Sequence, residues 1–185
     1  NGLSDYEKKM TVICKEQIPM GTRITETNAE QYFETYEIDV KIVSENAVID
    51  KSELIGTVAA RTMDAGELVK NDDFTKESGI YAKYQEPVEA SFKAEHPGDV
   101  VSGSIRSGDF VDIAVVDKDT LEYALSLENV FVLNAYTSTG EVVTRDSINT
   151  AATMFTIVEE KAALDKFYSA LEKGNVIVSK VSIEK

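Results

Sequence analysis

One turn signature occurs twice in this chain, and it constrains the fold more than any other feature. The first copy, Gln17-Ile18-Pro19-Met20-Gly21-Thr22-Arg23-Ile24-Thr25, leads into Glu26-Thr27-Asn28-Ala29-Glu30. The second, Arg61-Thr62-Met63-Asp64-Ala65-Gly66-Glu67-Leu68-Val69-Lys70, leads into Asn71-Asp72-Asp73-Phe74. Aligned on their glycines, Gly21 matches Gly66, Ile24 matches Val69, Asn28 matches Asp73 and Ala29 matches Phe74. Each copy predicts a strand, a glycine turn, a second short strand and a polar cap before one helical turn. Pro19 is expected to set φ at the first corner of its turn, with Gly21 and Gly66 taking positive φ at the second. Two copies are too few for a solenoid and fit a compact module with pseudo-two-fold symmetry.

The rest of the chain reads as follows. Residues 1–9 have few apolar side chains and no period, and are expected to be a linker or leftover segment. Residues 38–49 should supply strand, and residues 50–56 a turn or short helix ending at Gly56. Gly103-Ser104-Ile105-Arg106-Ser107-Gly108 should form a hairpin corner, with Gly108-Asp109 as a tight turn. Strands are expected over 110–116, 123–126, 129–136, 151–158 and 175–183. One clear helix is expected over 157–173, with Leu164, Phe167, Tyr168 and Leu171 on one face. Thr156 and Glu159 would form its capping box and Gly174 would stop it. The fold class is therefore mainly β with an α+β C-terminal part, the helix laid on one sheet face. The domains are predicted at 10–76 and 80–185.

Charge and composition remove several functions. The 185 residues carry 19 Lys+Arg against 33 Asp+Glu, a formal charge of −14. Residues 1–79 hold 9 basic and 16 acidic groups and residues 80–185 hold 10 and 17, so each part carries −7. Nucleic acid is excluded as a partner, because it needs clustered Lys and Arg. A single Cys14 and a single His96 cannot build a Cys/His zinc site or an intrachain disulfide. Cys14 is expected to be a small buried residue and His96 a loop residue. Asp117-Lys118-Asp119-Thr120 lacks the continuation of a calcium loop, so Asp109 is read as a turn former, Asp112 as a solvent-facing strand residue and Asp72-Asp73 as a helix cap. There is no nucleophile set and no phosphate loop. We expect no enzyme, no cofactor and no metal. The Tyr side chains mostly fit half-buried sheet or helix positions, a Tyr-lined groove being the other reading. No apolar run approaches the roughly 20 residues of a membrane span. A signal peptide is not visible, and an anchor ahead of residue 1 stays open.

The order of motifs resembles a known family. Val12 through Ile18-Pro19-Met20-Gly21-Thr22-Arg23-Ile24-Thr25, then Leu54-Ile55-Gly56-Thr57-Val58-Ala59-Ala60-Arg61 and Ala65-Gly66-Glu67, resembles a SAF domain, which implies a β-clip fold over about 10–76. Gly103-Ser104-Ile105-Arg106-Ser107-Gly108-Asp109-Phe110-Val111-Asp112-Ile113 resembles the run after the SAF domain in Flp (Tad) pilus assembly proteins of the CpaB/RcpC type. Leu127-Glu128-Asn129-Val130-Phe131-Val132-Leu133 is similar to that family's later strand. The chain departs from the family in lacking a Pro at the start of its last helix and in carrying His96-Pro97-Gly98.

The resemblance implies a non-enzymatic factor on the extracytoplasmic face of the cell membrane, tethered by an N-terminal helix absent from this chain. Its partners would be other pilus assembly or envelope proteins, with peptidoglycan a further candidate. The alternative is a glycan- or peptidoglycan-binding β-clip protein of the envelope unrelated to pili. Missing catalytic sequence speaks against the SAF part of a sugar-acid enzyme. Arg23 and Arg61 are the candidate partner contacts, being among the few cations on an acidic body, with surface salt bridging as the competing reading. Pro19, Gly21, Gly66, Gly108 and Asp109 are expected to be structural turn residues.

Overall fold

A computed structural model describes residues 7–181, and these fall into two compact units that part between Gly79 and Ile80. The expected linker segment lies largely outside the described residues, but Lys8 and Lys9 already belong to a strand.

The first unit is built on the repeat. β1 (Lys8–Cys14) pairs antiparallel with β2 (Phe33–Asp39), and β3 (Thr57–Ala59) with β4 (Phe74–Lys76). α1 (Glu26–Tyr32) lies between β1 and β2. The two copies face each other, and their hydrogen bonds come in symmetry-related pairs. Cys14 N–H donates to Glu67 C=O at 3.0 Å, as its mate Ala59 N–H donates to Thr22 C=O at 2.9 Å. Gly66 N–H to Cys14 C=O and Gly21 N–H to Ala59 C=O are both 2.8 Å. On the axis, Ile18 and Met63 exchange bonds of 2.8 and 2.9 Å, and both side chains are fully buried. Gly21 and Gly66 hold φ of 83° and 85°, a left-handed conformation that a Cβ disfavours. Pro19 does not take the first corner: Thr22 N–H donates to Pro19 C=O, so Pro19 opens the turn and Met20 occupies that corner.

The symmetry breaks after the caps. Asn28 Oδ1 accepts Thr25 N–H and Asp73 Oδ2 accepts Lys70 N–H, both at 2.8 Å. The first copy continues into α1, because Ala29, Glu30 and Gln31 are good helix formers. The second closes a single 3₁₀ turn (Asn71–Asp73) and returns to strand at Phe74-Thr75. Lys15 N–H consequently bonds to Tyr32 C=O, whereas Ala60 N–H bonds to Asp73 C=O, so the first copy is longer by one helical turn. The strand expected over 38–49 is in fact β2, which ends at Asp39. There the Asp39 carboxylate accepts Lys41 N–H at 2.9 Å and starts a turn. A 3₁₀ turn (Lys51–Leu54) precedes Gly56.

A one-turn helix, α2 (Glu77–Tyr81), leads to the second unit. There β5 (Pro87–Lys93), β6 (Phe110–Asp117), β7 (Tyr123–Tyr136), β8 (Met154–Glu160) and β9 (Gly174–Lys180) form an antiparallel sheet in the order β5-β8-β7-β6-β9. α3 (Lys161–Leu171) covers one face, burying Leu164 and Phe167 against Phe92 and Phe155. The molecule is thus mainly β, and α3 is the longest helix among the described residues.

Several expectations in this unit fail. Residues 157–160 belong to β8 rather than the helix, because all four pair with β5, and Ile157 and Val158 with β7 as well, and those ladders outweigh helix propensity. The Thr156/Glu159 capping box is absent: Thr156 meets Ser91 across the strands at 3.2 Å, and Glu159 accepts Glu160 N–H. Gly174 does not stop the helix but opens β9, where an added Cβ would sit 2.2 Å from Val116 O. β9 ends at Lys180, and Ile183 lies outside the described residues. The two strands expected at 123–126 and 129–136 are one strand, bent at Asn129, whose φ is 51°. Asp112 is half-buried rather than solvent-facing, and its Oδ1 accepts Asn129 N–H at 2.8 Å, holding that bend.

Candidate functional site

The segment with the most distinctive sequence, Gly103–Ile113, forms a charged node in the second unit. It is not a hairpin corner. Val101–Gly103 is a 3₁₀ turn, and the chain then wraps around the Arg106 side chain. Arg106 is only 7% exposed, and its guanidinium donates to four carbonyls. Nη1 reaches Gly103 at 2.7 Å and Ile105 at 2.9 Å, and Nη2 reaches Ser147 at 2.8 Å and Thr150 at 2.7 Å. Burial depresses the Arg106 pKa from its ordinary value, opposed by the nearby Asp109 charge.

Asp109, also buried, accepts Arg106 N–H at 2.8 Å, Arg145 Nη1 at 3.1 Å and Lys180 Nζ at 3.1 Å. Gly108 holds φ of 90° and donates to Val132 C=O, which docks the corner onto β7. One carboxylate thus joins the corner, the loop after β7 and the end of β9. Its lone pairs are engaged by cations and a backbone N–H, so it is a clamp and not a general base. The clamp fixes a loop that presents apolar side chains to solvent: Val142 is 65% and Ile148 83% exposed. Ile148 sits between the two carbonyls that Arg106 Nη2 holds. Ordered apolar groups on a held loop suit protein contact.

Sequence reasoning named Asp109 but missed Arg106, Arg145 and Lys180. The Arg-x-Gly-Asp spacing carried a signal for Arg106. Arg145 and Lys180 come from distant segments and gave none.

The other named residues lie elsewhere. Arg23 forms an ion pair with Glu77, and Arg61 pairs with Asp73 at 2.8 Å and Glu67 at 3.1 Å. The two cations therefore neutralise carboxylates of their own unit. The Cys14 thiol is buried, and desolvation, with the Glu67 and Asp73 charges, pushes its pKa up to about 12. It is a core residue and a poor nucleophile. His96 is exposed and precedes a 3₁₀ turn (Pro97–Asp99). Asp117 Oδ1 accepts Asp119 N–H at 2.8 Å and Thr120 N–H at 3.0 Å, which lowers its pKa and makes it a turn former. A shallow groove of about 390 Å³ runs between that turn and the end of α3, lined by Asp117, Glu122, Ser169 and Lys173. Tyr84, half-buried, donates to Val158 C=O at 3.2 Å; burial, with the Glu159 and Glu160 charges, raises its pKa. Among the described residues there is no group of three or more His, Cys, Asp or Glu placed to hold a metal. No helix among them is long and apolar enough to cross a membrane.

Comparison with known proteins gives little. No family model and no curated protein matches the chain. Two solved structures are similar. The flagellar protein FlgA from Thermotoga maritima is 16% identical, with 69% of this chain and 34% of that one covered, at a TM-score of 0.33. Salmonella FlgA in its open form is 12% identical, with 89% and 66% covered, also at 0.33. The chain spans about a third of the first structure and under two thirds of the second. A TM-score of that size does not establish a common fold.

Proposed function

We propose that this chain acts as a non-enzymatic extracytoplasmic factor in assembly of a Flp/Tad-type pilus, held at the membrane in the manner of the CpaB/RcpC family by an N-terminal helix. The observation that carries this reading is the ordered set of motifs along nearly the whole chain. Its strongest member, Gly103–Ile113, is support in a second way, since Arg106 and Asp109 clamp the loop that exposes Val142 and Ile148. The role is contact and alignment, with other pilus assembly proteins of the envelope as partners. A net −14 is compatible with such a setting, because attachment would rest on an anchor and not on surface charge.

The competing reading is a glycan-binding envelope protein. Pull-down separates the two. The purified chain is incubated with isolated peptidoglycan sacculi, and in parallel a photo-crosslinker at Ile148 is activated in cells making the pilus. The proposed role predicts no retention on sacculi and a crosslink to an envelope protein of the pilus machinery. Retention on sacculi without partners, and no crosslink, would favour the glycan binder.

A further inference from the structure

β2 has a free edge. It pairs only with β1, in a two-stranded sheet. The hydrogen-bonding parity is set by Val40 N–H, which donates to Glu7 C=O, and by Val12 and Cys14, whose N–H groups donate away from β2 to Val48 and Glu67. In the register Val12↔Thr35 and Cys14↔Phe33, it follows that Thr35 and Glu37 direct both N–H and C=O away from β1. Among the described residues these four groups have no backbone partner. Tyr36 is 47% exposed and Glu37 is exposed, so water reaches this strand.

The side chains along the edge share one sign. Phe33-Glu34-Thr35-Tyr36-Glu37-Ile38-Asp39 carries three carboxylates and no cation. The ion pair made by Glu37, with Lys8 at 3.9 Å, is long and well exposed, and contributes little. A second copy of β2 is a poor occupant, because antiparallel self-pairing sets carboxylates near carboxylates. An extended segment with Lys or Arg at alternate positions satisfies the open backbone and sets its cations on the face of Glu37 and Asp39.

We infer that the outer edge of β2 is a docking site for a basic extended segment of a partner protein, added as a third strand beside β1 and β2. Backbone hydrogen bonds at Thr35 and Glu37 give the pairing its geometry, and Glu37 and Asp39, which share one face of the strand, select the charge. The inference concerns the first unit alone and stands whether or not the partner belongs to a pilus.

The test uses the whole chain and a labelled peptide of alternating Lys and Val/Thr, about as long as β2, read by fluorescence anisotropy. Three comparison peptides are used: one with Glu for Lys, one with alternate backbone N-methylation, and one with scrambled order. The expected result is binding of the Lys peptide that weakens with salt, at least about tenfold loss on N-methylation, and no binding of the Glu peptide. Glu37→Lys with Asp39→Lys should reverse the charge preference, and Thr35→Pro, tolerated on an edge, should abolish binding. Peptide N-methylation leaves the protein untouched, so the test holds even where a variant folds poorly. Absence of binding by the Lys peptide would overturn the inference and leave the carboxylates as a block against edge pairing. Binding unaffected by N-methylation would overturn it too, because the contact would then be charge alone.

Discussion

Asp109 gathers more interactions than any other carboxylate described here, and its removal takes the counter-charge from Arg145 and the acceptor from Arg106 N–H. The Arg145 side chain is mostly buried and the bond from Arg106 N–H is buried too, so water replaces neither lost interaction well. Asp109→Ala is therefore expected to destabilise the second unit by about 3–5 kcal/mol, the range for breaking one side of a buried pair. Lys180→Ala, at a side chain 42% exposed, should cost less than about 1 kcal/mol. Urea unfolding of the two variants checks the order, and equal losses would show that the clamp is not centred on Asp109.

Cys14 gives a second prediction at this scale. Its pKa is raised in the folded chain from an ordinary 9.0 to about 12. A raised pKa means that the unfolded chain releases the proton first, so stability present below pH 9 is lost as pH climbs toward 12. Across that window the wild type should lose stability relative to Cys14→Ala. Thiol labelling of the native chain at pH 8 should also be slow until the first unit unfolds. Fast labelling of folded protein would mean that the thiol is not buried.

The elements show what local rules decide and where they stop. Gly21 and Gly66 were legible because a glycine turn repeated at one spacing leaves few alternatives, and the two positions share one conformation. Gly21→Ala and Gly66→Ala should each cost about 1–2 kcal/mol, and by similar amounts, as measured by denaturant midpoints. A large cost at one and none at the other would contradict the two-fold equivalence. The caps at Asn28 and Asp73 were legible for the same reason.

What sequence could not give depends on partners distant in the chain. Residues 157–160 have helical credentials locally, and only the ladder with β5, joined at Ile157 and Val158 by that with β7, makes them strand. Pro19 suits a first corner, yet the bond from Thr22 N–H places it one position earlier. Gly174 resembles a helix stop and is a glycine because Val116 O lies against it. Arg145 and Lys180 lie 36 and 71 positions beyond Asp109 and carry no local mark of meeting it.

At the scale of the whole molecule, the charge is spread over two units with separate hydrophobic clusters, one around Ile18 and Met63 and one around Phe92, Phe155 and Phe167. Both units carry the same net sign and the same −7, which favours solubility and disfavours non-specific association. Separate cores also predict separable stability. Met63→Ala, at a fully buried side chain, should destabilise the first unit by about 2–5 kcal/mol, and Asp109→Ala the second. Hydrogen exchange resolved along the chain should find each loss confined to its own unit; a loss shared by both would mean that the two clusters unfold together.

The functional account turns on one quantity, the number of Flp/Tad-type pili on cells that lack this gene, counted by electron microscopy against the parent strain. The account predicts that pili disappear on deletion, return with the wild-type gene, and stay absent with an Asp109→Ala variant that is still exported. Pili present at parental numbers on the deletion strain would contradict it.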